Sequence, residues 1–177
     1  PYIEKKYKTL HRTATGLSQG ADYVNYILRT NPELFDAYMI FAIESPNYQA
    51  DFAAYTDKID VEKDYFIAIA NDVERRIKFA NELYENLEKS ELLNVVKMEY
   101  KSADHSYAML YGLADGLLFT YKDYTAYRES AEGETFAQYF SNLVNEIEEK
   151  FGTVQYNGLL ITAFEQLTKE SPKAEVK

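Results

Sequence analysis

Imidazole is the side chain best suited to moving protons near neutral pH or holding a metal, and this chain carries two, His11 and His105. They are far apart in sequence and neither ends a Glu-x-x-His spacing, so a di-iron or di-manganese site is not expected, and no metal or cofactor is assigned. Carboxylates abound, as in Glu148-Glu149, but adjacent acids on a helix surface serve solvation. Cysteine is absent, which removes thiolate catalysis, disulfides and cysteine-ligated metals. Gly16 and Gly20 are read as bracketing a break between two helices, and the other glycines as lying on helices or at their ends. On that reading no Gly-x-Ser-x-Gly elbow, phosphate-binding loop or dinucleotide fingerprint is expected, and no enzymatic activity.

Two features invite a binding role instead. The chain has 17 Tyr and 10 Phe but no Trp. A tyrosine-rich interior is either plain core or the lining of a site for an amphipathic molecule. The residues placed at such a site are Tyr38, Phe41, Tyr65, Ile69, Tyr84, His105, Tyr107 and Tyr111. The second feature is the small-residue row Ala108, Gly112 and Gly116. A glycine inside a helix costs roughly 1 kcal/mol relative to alanine, so close approach of another element is expected there. That element is a helix of the same chain, a helix of a second copy, or a ligand.

The elements that would position these residues are read as helices throughout. Ile3, Tyr7, Leu10 and Ala14 space a helix over about 2 to 14. Asn31-Pro32 signals a helix start ahead of Leu34, Phe35, Tyr38, Phe41 and Ala42, and Ser45-Pro46 opens a short helix bearing Tyr48, Phe52 and Tyr55. Asp60 caps a spine helix through Tyr65, Ile69, Val73, Ile77, Ala80, Tyr84 and Leu87. Leu92, Val96 and Tyr100 mark a shorter one. Helices over about 103 to 127 and 134 to 151 follow, the latter stopped by Gly152, and a last helix covers about 154 to 168. The fold class expected is all-α: one helical bundle of about 7–9 helices over residues 1–168, with 169–177 as a disordered tail.

At 177 residues and 46% hydrophobic content the chain can close one core. The net charge of −10, without a basic cluster, argues against direct nucleic-acid binding. No run nears the roughly 18 apolar residues of a membrane span, nor is there a signal peptide, and the cytoplasm is the expected compartment. The first residue is Pro1, as in a processed or excised piece of a longer chain.

Two strings resemble a known family. Leu34-Phe35-Asp36-Ala37-Tyr38-Met39-Ile40-Phe41-Ala42-Ile43-Glu44-Ser45-Pro46-Asn47-Tyr48 resembles a helix junction in the C-terminal regulatory domain of the tetracycline-repressor (TetR) family. Tyr111-Gly112-Leu113-Ala114-Asp115-Gly116-Leu117-Leu118 is similar to that family's penultimate helix. No helix-turn-helix precedes Tyr2. The resemblance implies a homodimer in which the 103–127 and 134–151 helices form a four-helix bundle with their mates, through Gly112, Gly116, Phe136, Tyr139, Phe140, Leu143, Val144 and Ile147. It also implies a cavity for a small apolar or aromatic molecule among the helices near 34 to 110. The function expected is a ligand-responsive regulatory domain of a transcriptional regulator. The alternatives are a globin-like sensor or carrier holding haem or a fatty acid near His105, and a non-enzymatic protein-interaction module. A locally hydrogen-bonded His105 beside Asp104 is the remaining reading of that residue.

Overall fold

The computed structural model describes residues 2–7, 9–44, 56–122 and 132–152. They are not all-α. A four-stranded, wholly parallel sheet in the order β1-β2-β3-β4 runs through them. The strands are β1 (Thr13–Leu17), β2 (Ala37–Phe41), β3 (Lys63–Ala70) and β4 (Leu93–Tyr100). The helices are α1 (Tyr2–Tyr7), α2 (Gln19–Thr30), α3 (Glu74–Leu87), α4 (Ala108–Thr120) and α5 (Phe136–Phe151). This α/β architecture replaces the expected bundle. The described residues fall into two compact units, one within 11–129 and the other within 1–10 and 130–177.

Strand formation follows from burial on both faces. β2 reads Ala-Tyr-Met-Ile-Phe and is buried at every position, and β3 is buried at all but one. Parallel strands covered on both sides read as unbroken apolar runs rather than alternating ones. Successive side chains nonetheless divide between two cores. Tyr38, Ile40, Tyr65, Ile67 and Ile69 meet Ala21, Val24 and Leu28 of α2 and Phe79, Ala80, Leu83 and Leu87 of α3. Met39, Phe41, Phe66, Ala68 and Ala70 meet α4 through Ala108 and Leu113. The expected helix at 34–42 is therefore a 3-10 turn, Pro32–Leu34, followed by β2. The spine helix is β3 and then α3. The short helix through Leu92, Val96 and Tyr100 is β4.

The glycine row on α4 faces this sheet. A Cβ at Gly112 would stand 3.0 Å from the Tyr100 ring, 3.1 Å from Ala68 Cβ and 3.2 Å from the Phe41 ring. One at Gly116 would stand 3.0 Å from Met39 Sδ and 3.1 Å from Phe66. Close approach is intramolecular, to strands of the sheet and not to a helix, so Gly112 and Gly116 are covered by this chain itself. In the other unit α5 carries a full capping box: the Thr135 N–H donates to Gln138 Oε1 at 2.9 Å, and Thr135 Oγ1 accepts from the Gln138 N–H at 3.4 Å. Gly152, at φ 82°, ends it. Leu143, Ile147 and Phe151 are its buried residues. Among the described residues no helix is long and apolar enough to cross a membrane. The Ser45-Pro46 helix, the 154–168 helix and the 169–177 tail lie outside the described residues.

Because Gly112 is seated on three side chains of the sheet, Gly112→Leu is expected to lower the unfolding free energy by about 1–3 kcal/mol through overpacking. Leu118→Ala, at a position 60% exposed on the same helix, should change it by less than about 0.5 kcal/mol. Urea midpoints of the two variants make the comparison, and equal midpoints would show that α4 does not pack this way.

Candidate active site

A parallel sheet places the carboxyl ends of all its strands along one edge, and the loops leaving that edge are where such folds gather functional groups. Here each of the four strands sends one polar side chain there. Ser18 follows β1, Glu44 lies three residues beyond β2, Asp72 two beyond β3, and His105 in the turn after β4.

Ser18 sits on a sharp strand-to-helix turn. Its φ is 57° and ψ −121°, a region that costs a non-glycine residue of order 1–3 kcal/mol. The Ser18 N–H donates to the Phe41 carbonyl at 3.0 Å and its own carbonyl accepts from Ala21 at 2.9 Å, so both sides of the turn are anchored. At the N-terminus of α2 a serine ordinarily turns its hydroxyl onto the first-turn N–H groups. Ser18 makes no such bond. Its Oγ instead donates to Glu44 Oε2 at 3.3 Å. Gly16 makes the turn possible, since a Cβ there would intrude on the Gly20 backbone and lie 2.7 Å from Ala21 N. The stretch Gly16-Leu17-Ser18-Gln19-Gly20 is thus a Gly-x-Ser-x-Gly elbow, contrary to the expectation that the chain has none. Reading the two glycines as a bracket between helices hid it.

Asp72 and His105 form the second part. His105 Nδ1 is hydrogen-bonded to Asp72 Oδ2, and Oδ1 accepts from the Val73 N–H at 2.7 Å and from Arg76 Nη1 at 2.8 Å. The Asp72 side chain is 6% exposed. Burial acts to raise its pKa, but the bonds from Arg76, His105 and Val73 together outweigh burial and hold the carboxyl below its ordinary range. An ionised carboxylate only accepts, so the proton of the neutral ring is on Nδ1 and the lone pair on Nε2. The loop carrying Asp72 is tied to the one carrying His105 by the Asn71 N–H donating to the Ala103 carbonyl at 2.8 Å. Asp104 caps the turn of His105 by accepting from Ser106 and Tyr107 N–H groups.

Glu44 closes the ring of groups. Arg76 Nη2 lies 2.7 Å from Oε1 and 2.6 Å from Oε2, and Arg75 Nη2 lies 3.4 Å from Oε1. The hydrogen bond from Arg76 is the main reason the Glu44 carboxyl is held below its ordinary range. Oε2 is also 3.9 Å from His105 Nε2. One carboxylate oxygen therefore neighbours both the serine hydroxyl and the free imidazole nitrogen.

Of the residues proposed from sequence, His105 alone belongs to this cluster. Tyr38 and Tyr65 are buried between the sheet and α2/α3, where Tyr38 donates to the Pro32 carbonyl at 2.9 Å and Tyr65 to Asn25 Oδ1. Ile69 shares that core and Tyr84 packs at its margin, beneath Lys97 Nζ at 4.9 Å. Phe41 is on the opposite face, under α4. Tyr107 and Tyr111 are exposed. These rings are divided by the sheet and do not converge on one cavity. Gly112 and Gly116 lie against strands. Tyr139, Phe140, Leu143, Val144 and Ile147 are on α5 of the other unit, as is Phe136 at its start. Sequence reasoning missed Ser18, Glu44, Asp72 and Arg76. The elbow pattern was present to be found, whereas Asp72 is 33 residues from His105 and has no local signature.

Serine, acid and histidine, in that chain order and each beyond a strand of a parallel sheet, is the order in which α/β-hydrolase folds carry those three side chains. No family model and no curated protein matches the chain. Among solved structures it is similar to an IroE-like serine hydrolase from Shewanella oneidensis, at 22% identity over 89% of this chain and 55% of that one, with a TM-score of 0.62. It is also similar to the BES protein from Bacillus cereus, at 23% identity over 61% of this chain and 44% of that one, with a TM-score of 0.53. The chain thus spans about half the length of these structures, and at such identities the likeness establishes the α/β fold. That fold overturns the TetR-family resemblance, because the first string on which it rested contains the buried strand β2, Ala37–Phe41, where a helix was expected. The regulatory-domain reading falls with it. So does the globin-like alternative, since the two ring nitrogens of His105 face Asp72 and Glu44. The expected interaction module without chemistry gives way to the Ser18, Asp72 and His105 arrangement.

Gly16→Ala should cost at least about 3 kcal/mol, the upper end of overpacking, because the colliding atoms are main chain; differential scanning calorimetry reads this. The depressed pKa of Asp72 gives a second expectation. Its stabilising effect is complete above the ordinary value of 3.8 and is lost as pH falls through the lower folded value. The stability gap between the native chain and Asp72→Asn should therefore narrow below about pH 4, and a gap that stays constant in acid urea titrations would contradict it.

Proposed function

We propose that this chain carries the nucleophile, acid and base of a serine hydrolase acting on acyl esters. The observation that supports it most is Ser18, held at positive φ with its hydroxyl withheld from the helix, at the same strand-end edge as the His105–Asp72 pair. Strain of this kind persists where the surrounding structure over-determines it, as at reacting centres.

In this reading His105 Nε2 takes the Ser18 proton as Oγ bonds to the acyl carbon, and Asp72 steadies the imidazolium through Nδ1. The Nε2 proton then passes to the departing alkoxide, leaving the acyl group on Ser18. Water, deprotonated by the same nitrogen, releases the acid and restores the hydroxyl. The first-turn N–H of Gln19, which precedes the earliest helical hydrogen bond of α2, is the oxyanion donor that an elbow offers. To begin, the Ser18 hydroxyl turns from Glu44 Oε2 toward Nε2.

The test pairs labelling with turnover. A fluorophosphonate probe is expected to modify Ser18 and nothing else, as read by peptide mass spectrometry, with no labelling of Ser18→Ala. Hydrolysis of 4-nitrophenyl acetate should fall by about 10³–10⁴-fold in His105→Ala and in Asp72→Asn. Labelling that persists in Ser18→Ala, or equal turnover in all variants, would falsify the assignment.

A further inference from the structure

Glu44 is not needed for the three-residue mechanism above, yet it is the side chain on which the Ser18 hydroxyl rests. Its placement is built rather than incidental. The chain leaves β2 through Ala42 at φ 41°, with the Ala42 N–H donating to the Ala68 carbonyl at 2.9 Å, and this bend precedes Glu44 at the strand-end edge. Both carboxylate oxygens are then gripped by Arg76, whose other terminal nitrogen holds Asp72. One guanidinium therefore sets the spacing of two carboxylates, and His105 lies between them, with Nδ1 on Asp72 and Nε2 3.9 Å from Glu44.

From this geometry we infer that Glu44 is a second carboxylate partner of His105, holding the Ser18 hydroxyl in the resting site and then facing the Nε2–H that His105 gains when it takes the Ser18 proton. The proton-transfer half of this rests on the hydrolase reading. The neutral ring presents a lone pair toward an anion, which is unfavourable, and the imidazolium presents a proton toward it, which is favourable. Glu44 is thus a positioning residue that biases the base toward its protonated form and forms no covalent bond. The charged groups around the ring are Asp72 from the loop after β3, Glu44 from the segment after β2, and Arg75 and Arg76 from α3, which reach it through those carboxylates. Asp104, next to His105 in the chain, accepts from main-chain N–H groups of its own turn.

The experiment follows His105 directly by ¹⁵N NMR of the imidazole across pH 4–9 in the whole chain, with His11 as the internal control, alongside the pH profile of kcat/KM for 4-nitrophenyl acetate. Glu44→Gln keeps the shape and removes the charge, so the His105 midpoint is expected to fall by about 0.5–1 pH unit. His11 should stay in place and the acidic limb of kcat/KM should move down with His105. Glu44→Asp keeps the charge but withdraws it, is expected to shift the midpoint by a smaller step, and stands as the test if the glutamine variant does not fold. An unmoved His105 midpoint in the folded variants overturns the role of Glu44. A shifted midpoint in a chain that hydrolyses no ester overturns the hydrolase reading instead, and with it the proton-transfer half of this inference.

Discussion

The guanidinium of Arg76 joins two carboxylates that arrive from different strands, Nη1 on Asp72 and Nη2 on Glu44. Without that cation, two anions would share a small, partly desolvated space beside one imidazole, and like charges at such separations drive one carboxyl to protonate. With it, both remain ionised and each offers an oxygen to the ring or the hydroxyl. Removing one member of such a network leaves its partners charged and unpaired, which is why clusters of this kind respond to substitution as units. The rest of the site is arranged around this clasp: Asp72 orients His105, and Glu44 receives Ser18.

Delivering these groups is the work of the sheet. Parallel pairing aligns four carboxyl ends, and burial on both faces fixes the positions of β2 and β3, since a one-residue slip would exchange the residues under α2 and α3 with those under α4. Gly112 and Gly116 let α4 settle directly on β2, β3 and β4. The main-chain bond between Asn71 and Ala103 then carries the register of β3 and β4 outward into the loops holding Asp72 and His105.

Little of this was legible in the sequence. An unbroken apolar run such as Tyr38–Phe41 or Tyr65–Ala70 contains every spacing, so a helical stripe can always be drawn through it; Tyr38 with Phe41, and Tyr65 with Ile69, are such pairs. Length was the discriminating feature, because these runs are short enough for strands and too short for helices. α5 was legible because polar residues interrupt its apolar ones at a helical period and Gly152 ends it at positive φ, and α4, almost wholly apolar, was legible because its run is too long for a strand. That the glycine row had a close neighbour was also legible, but not that the neighbour was a sheet. His105 was recognised as chemically able while its partner was not, for nothing local ties it to Asp72.

Each group at the strand-end edge is ordinary in isolation. The hydroxyl of Ser18 in an unpaired chain is an aliphatic alcohol with no base beside it, and the strained backbone that lifts it from the helix relaxes once β1 and β2 separate. The imidazole reaches the same edge only when β4 is paired with β3, so the arrangement proposed for catalysis exists only in the assembled sheet. A partly opened chain would carry the same serine without the imidazole and carboxylates that the paired strands place beside it.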